Sequence, residues 1–141
     1  MAEPIVPIVL RLPISADPAT LWAALTVPER VIAWFATASP LGAVGAPYTL
    51  DFGDGSVVDG ELRELVPGQR FAYSWRWRGA PAAETTHVTW EVEPTADGGS
   101  AVVLQHAGWA EAGLGESARD DHRDAWQEYL EALRELLSGG A

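Results

Sequence analysis

The chain predicts an α+β domain: a curved antiparallel sheet of about six strands, two short helices, and one long C-terminal helix over one face. Three observations carry this. Segments with a hydrophobic period of two recur between residues 48 and 107, separated by the turn pairs Asp54-Gly55, Pro67-Gly68 and Asp97-Gly98. From about Glu116 to Leu137 the period becomes helical, with Trp126, Leu130, Leu133 and Leu137 on one stripe. That helix is the only long amphipathic cover for the sheet's apolar face, and a curved sheet gripping one helix leaves room for a cavity between them.

Each element has its own signal. Residues 5–14 run Ile-Val-Pro-Ile-Val-Leu-Arg-Leu-Pro-Ile, a strand whose early proline suits a sheet edge. Asp17 followed by Pro18 marks a helix start, the carboxylate as N-cap and the proline at the first helical position, with Leu21, Trp22 and Leu25 as its stripe. Pro28-Glu29 opens a second short helix, followed by Val31, Ile32, Trp34 and Phe35. Residues 36–47 read as a loop, with Pro40, Gly42, Gly45 and Pro47.

Tyr48, Leu50 and Phe52 alternate as a strand into the Asp54-Gly55 hairpin. Further strands are expected over Val57–Val66, Arg70–Arg78, Thr85–Glu93 and Ala101–Ala107. A loose connection spans Ala80-Pro81-Ala82-Ala83. A glycine-bearing loop, Gly108–Gly115, carries Trp109 and leads to the long helix, which Gly139-Gly140 ends. No repeat, linker or second domain interrupts this order, so residues 1–141 read as a single domain.

Composition narrows the function classes. Net charge is -11, and all nine basic residues are arginine. Such a surface repels nucleic-acid phosphates and anionic lipid heads, and favours a monomer or a discrete oligomer such as a homodimer. The absence of cysteine excludes disulfides, thiolate catalysis and Cys-ligated zinc. No apolar run approaches the roughly 18 residues of a membrane span, and Met-Ala-Glu-Pro is not a secretory leader, so a cytoplasmic protein without membrane insertion is expected.

The run Phe71-Ala-Tyr73-Ser-Trp75-Arg-Trp77 puts four large rings on one strand face. Parity makes Tyr48, Leu50, Phe52, Leu62, Phe71, Tyr73, Trp75, Trp77, Val88, Trp90, Leu104 and His106 inward, and the helical segments add Trp34, Trp126 and Tyr129. Trp77, at the strand end, faces solvent as readily as the interior. As ligand-binding candidates the reading selects Trp34, Tyr48, Phe52, Tyr73, Trp75, Trp90, His106, Trp109, Trp126 and Tyr129, because large rings with polar edges suit a cavity wall. The bland reading is that they pack on one another as core.

Two titratable groups share the inward parity. His106 follows Val102 and Leu104, and its imidazole is suited to move a proton or to sit buried with both nitrogens satisfied. Glu64 follows Gly60 and Leu62, and a carboxylate in an apolar cavity would have a raised pKa, unless a bulge before Pro67 turns it out or an arginine pairs it. These are the candidate catalytic residues. His87 is outward by parity, and His122 either borders the cavity mouth or serves the acidic helix face. The three histidines lack metal-ligand spacing and the glycines lack a dinucleotide pattern, so neither a metal nor a cofactor is expected. Trp109 is either a lid residue between hinge glycines or a cap on the core.

Seven stretches carry a family pattern almost end to end. The first four are Pro18-Ala-Thr-Leu-Trp22, Pro28-Glu-Arg-Val-Ile-Ala-Trp34-Phe35, Gly60-Glu-Leu-Arg-Glu64-Leu-Val-Pro67-Gly-Gln-Arg-Phe71 and Tyr73-Ser-Trp75. His87-Val-Thr-Trp90-Glu-Val-Glu-Pro94, Leu104-Gln-His106-Ala-Gly108-Trp109 and His122-Arg-Asp-Ala-Trp126 follow. On these stretches the chain resembles the START/polyketide cyclase (SRPBCC) superfamily with its helix-grip fold. More narrowly it is similar to the branch related to the activator of heat-shock-protein-90 ATPase. Ala125 stands where the family often has glycine.

The resemblance implies a deep hydrophobic cavity for a small apolar or aromatic ligand. Three functions are compatible with it: binding or carriage of such a ligand, a cyclase/dehydratase-type enzyme using His106 or Glu64, and a stress-response or co-chaperone-like module that binds a partner.

Overall fold

The computed structural model describes residues 5–138. In chain order the elements are β1 (Ile8–Ile14), α1 (Pro18–Thr26), α2 (Pro28–Val31), β2 (Thr37–Ala38), β3 (Pro47–Asp51), β4 (Val57–Val66), β5 (Arg70–Trp77), β6 (Thr86–Pro94), β7 (Ser100–Ala107) and α3 (Glu116–Ser138). All seven strands form one antiparallel sheet in the order β1-β7-β6-β5-β4-β3-β2. The sheet curls as a half-barrel around α3, the helix-grip arrangement.

Strands β5, β6 and β7 shift by one residue at one or both ends from the sequence reading, and two differences are larger. The sheet has a seventh strand, β2, within the stretch read as loop. It is too short to show alternation, and its place is set by pairing: Thr37 opposes Asp51, Ala38 opposes Leu50, and Ser39 exchanges hydrogen bonds with Thr49. Strand β1 begins at Ile8 rather than Ile5, just after Pro7, which has no N–H to give to the ladder. The expected Gly139-Gly140 helix end lies outside the described residues.

The helices dock as their stripes require. Asp17 caps α1 by accepting the Thr20 N–H at 2.7 Å, and the helix buries Leu21, Ala24 and Leu25. The Trp34 indole donates to the Ala24 carbonyl at 2.8 Å, tying the turn after α2 to α1. Helix α3 buries Trp126, Leu130 and Leu133.

Strand β4 carries two backbone irregularities that position the site. At Gly60, a Cβ would fall 2.0 Å from the Ser74 carbonyl oxygen, so this close crossing with β5 requires glycine. Further on, Leu62 opposes Tyr73 while Glu64 opposes Ala72, leaving Arg63 as the extra residue of a bulge. One inserted residue reverses the facing of everything beyond it. Leu65, not Glu64, therefore pairs with the inward Phe71.

Candidate functional site

The ring-bearing face of β5 meets other rings. Tyr73 lies 4.7 Å from Tyr48, its hydroxyl accepts the Trp90 indole N–H at 3.1 Å, and Trp90 stands edge-on to Trp34 and to Trp126. Tyr48, Tyr73, Trp90 and Trp34 are buried. Desolvation pushes both tyrosine hydroxyls far above their ordinary pKa, so they remain neutral donors and acceptors. These rings interdigitate and fill the centre of the sheet, where the sequence reading expected cavity wall.

The open space lies to one side. A cavity of about 120 Å³, open to solvent on one side, is lined by the β3–β4 hairpin (Phe52, Asp54, Ser56), β5 (Trp75, Trp77), α3 (His122, Ala125, Trp126, Tyr129) and Phe35 from the turn after α2. Of the ligand-binding candidates, Phe52, Trp75, Trp126 and Tyr129 line it; Trp34, Tyr48, Tyr73, Trp90, His106 and Trp109 do not. Phe35, Asp54 and Ser56 were missed because they sit in irregular turns without period. His122 borders the cavity, the first of its two sequence readings. A wider groove of about 380 Å³ between β1 and α3 has mixed walls, including Arg11, Gln127 and Glu131.

The hairpin that forms one rim is locally braced. Asp51 accepts the Gly53 N–H at 2.9 Å and Asp54 accepts the Ser56 N–H at 3.0 Å. The Ser56 hydrogen bonds hold the Asp54 carboxyl below its usual pKa, so this rim carries negative charge at neutral pH.

His106 is fully buried and both ring nitrogens are occupied. Nδ1 accepts the Trp126 indole N–H at 3.0 Å, which leaves the proton on Nε2. Nε2–H then donates to the Thr86 hydroxyl at 2.7 Å, and that hydroxyl donates onward to the Trp75 carbonyl at 3.3 Å. The relay suits only the neutral ring. Burial lowers its pKa well below 6.5, reinforced by His122 and His87. Thr86 was legible in principle, since it shares the parity of Val88 and Trp90.

His122 is held in the same way with the opposite tautomer. Nε2 accepts the Trp77 indole N–H at 3.0 Å, and Nδ1–H donates to the Ala118 carbonyl at 2.7 Å. Burial lowers its pKa, partly offset by that hydrogen bond and by Asp121. Trp109 settles between its two readings as a cap: it is buried, its ring centroid lies 4.3 Å from His106, and its N–H donates to the His106 carbonyl at 3.0 Å.

The inward placement of Glu64 is corrected. The bulge at Arg63 turns it to the outer face, where its two oxygens accept from Nε and Nη2 of Arg70, each at 3.0 Å, with the side chain 45% exposed. His106 and Glu64 therefore lie on opposite faces of the sheet and form no acid–base pair.

A pH dependence follows from the two histidines. Both have folded pKa values below the unfolded value of 6.5, so the unfolded chain binds more protons in the window between them. Stability is full above pH 6.5 and is lost as pH falls toward the lowered folded values. Thermal unfolding is expected to show a drop in Tm between pH 7.5 and pH 5, above the range where carboxylates titrate. A His106→Gln, His122→Gln double variant should flatten that drop relative to its own pH 7.5 value, and an unchanged slope would refute this assignment.

The curled sheet gripping one long helix, with a ring-lined cavity beside it, is a helix-grip domain. Residues 15–138 match the model of the Activator of Hsp90 ATPase homolog 1-like protein family, and the chain belongs to that family. Three solved structures share the fold. DynU16, from the dynemicin biosynthetic locus, is 24% identical with a TM-score of 0.85, covering 97% of this chain but 49% of its own, so the chain spans about half its length. MLL2253 of Mesorhizobium loti is 24% identical with a TM-score of 0.84, covering 96% and 99%. The Aha1 dimer of Colwellia psychrerythraea is 23% identical with a TM-score of 0.77, covering 94% and 96%. No curated protein matches the chain significantly.

Proposed function

We propose that the protein binds a small aromatic or apolar ligand in the cavity between the β3–β4 hairpin, β5 and α3. The observation that carries this is a cavity walled by Phe35, Phe52, Trp75, Trp77, Trp126 and Tyr129 beside a centre that is otherwise filled. Its size sets the ligand. Drug-sized sites occupy about 300–1,000 Å³, whereas an engineered apolar cavity of about 150 Å³ takes up benzene. A volume of about 120 Å³ therefore suits a single ring, with any larger ligand projecting through the mouth past Asp54.

The cyclase reading gains less support. It needs a positioned acid and base, and His106 has both nitrogens committed while Glu64 lies outside. The partner-module reading rests on the family's name. The exposed large apolar side chains are Val6 and Val9 before and in β1, Val27 between α1 and α2, Ile32 in the turn after α2, Val44 in the loop before β3, and Leu136 on α3. We place the protein in the cytoplasm as a monomer or homodimer; the Colwellia relative is a dimer. Among the described residues no helix is long and apolar enough to cross a membrane.

The test uses Ala125, the smallest side chain on the cavity wall. Calorimetric titration with toluene is expected to show saturable binding. Ala125→Leu, which pushes an isobutyl group into the space, should weaken it at least about tenfold while the protein stays folded. Equal binding by the variant, or none by the parent chain, would overturn the proposal.

A further inference from the structure

Resting on the reading of this cavity as a ligand site, the charge at its mouth points to the ligand's class. Among the described residues that line the cavity, Asp54 is the one acid, and no arginine lines it. The other two titratable lining groups stay uncharged at neutral pH. His122 is held neutral by burial and by its two hydrogen bonds, and desolvation raises the pKa of the Tyr129 hydroxyl. The wall therefore carries one full charge, and it is negative.

That charge has no cation of its own. The six ion pairs among the described residues all use other carboxylates. Its place is fixed all the same, because the carboxylate accepts the Ser56 N–H at 3.0 Å within the hairpin. The field of Asp54 reaches the wall, where it adds to the desolvation that raises Tyr129. The lining grades from the buried Trp75 and Trp126, through the half-buried Phe52, Trp77 and Tyr129, to the exposed Asp54. Phe52, two residues before Asp54, has its ring centroid 5.6 Å from Trp77 and 6.0 Å from Tyr129. Rings that meet a cation face-on add to the attraction of the carboxylate. An anion would meet Asp54 with no counter-charge on the wall, in a chain of net charge -11.

We infer that the ligand is an arylalkylammonium cation, whose ring enters the cavity and whose ammonium group pairs with the Asp54 carboxylate at the mouth. Because Asp54 is exposed, water and salt screen the pair. The gain is a several-fold selectivity rather than the bulk of the affinity.

Calorimetric titration of the full chain with four probes tests this. Toluene reports the site, while phenethylammonium, 2-phenylethanol and phenylacetate are a cation, a neutral molecule and an anion of similar size. Phenethylammonium is expected to bind about fivefold more tightly than 2-phenylethanol, with phenylacetate the weakest. In Asp54→Asn, whose side-chain oxygen can make the same turn to Ser56, that ratio should fall to about onefold. Glu128→Gln removes the same charge from a residue outside the lining and should keep the ratio. In Ala125→Leu, phenethylammonium and toluene should weaken together. Toluene binding with no preference for phenethylammonium over 2-phenylethanol overturns the inference and leaves the site standing. So does phenylacetate binding as tightly as the cation, an equal loss of preference in Glu128→Gln, or phenethylammonium binding that survives Ala125→Leu. No binding of any probe, toluene included, overturns the site itself.

Discussion

Trp126→Ala is expected to lower the unfolding free energy by about 3–5 kcal/mol, the usual cost of deleting a buried tryptophan. Its ring stands against Phe35, Trp75, Trp90, His106 and Tyr129, so it joins helix to sheet through one side chain. The deletion also strips the donor from His106 Nδ1, leaving a buried acceptor unsatisfied. Against a total of about 5–15 kcal/mol for a domain of this kind, the variant should be marginal at 25 °C. Urea unfolding followed by far-ultraviolet circular dichroism measures it. Trp126→Phe, which retains an aromatic ring but loses the N–H, should fall between parent and alanine variant. A loss below about 1 kcal/mol in the alanine variant would mean that α3 is held elsewhere.

Gly60→Ala is expected to be nearly as damaging, although it adds one methyl group to a residue that is not fully buried. The new Cβ would lie 2.0 Å from the Ser74 carbonyl oxygen and 3.5 Å from that of Tyr48. The first is backbone, so relief requires β4 and β5 to separate where Glu61 N–H also donates to the Ser74 hydroxyl at 2.9 Å. Overpacking costs about 1–3 kcal/mol where side chains can yield, and the upper end or beyond is expected where backbone must move. Because β4 and β5 lead to Trp75, Trp77 and the hairpin, ligand affinity should fall along with stability. Chemical denaturation with a parallel toluene titration checks both, and an unperturbed midpoint would contradict the tight crossing.

The regular elements were legible because their periods are long enough to read. The alternation through Phe71, Tyr73 and Trp75, the Val88-Trp90 parity and the Trp126-Leu130-Leu133 stripe all bury the side chains that the spacing assigns. Parity fails where an element breaks its own count. Glu64 lies two residues after Leu62, yet the bulge at Arg63 puts them on opposite faces, and nothing in a single chain's alternation reveals an inserted residue. Strand β2 is too short to carry a period at all.

The candidate site was less legible than the fold. Parity assigns a ring to a face but does not say whether it meets a partner across the core. Tyr73 and Trp90 pair through a hydroxyl–indole hydrogen bond and close the space between them, while Phe52 and Trp75, with equal sequence credentials, border the cavity. Phe35 reaches that cavity from an irregular turn. The neutral state of His106 depends on the register that brings Thr86 and Trp126 to its two nitrogens, a long-range fact that spacing does not encode.

The ligand is expected in the ring-lined cavity, and not in the filled centre of the sheet or the groove by β1. The most direct measurement is a map of chemical-shift changes across the assigned protein at saturating toluene. The largest changes should cluster at Phe35, Phe52, Trp75, Trp77, His122, Ala125, Trp126 and Tyr129, and vanish in Ala125→Leu. Changes centred instead on Leu10, Leu12 and Leu130, or none at any accessible concentration, would contradict it.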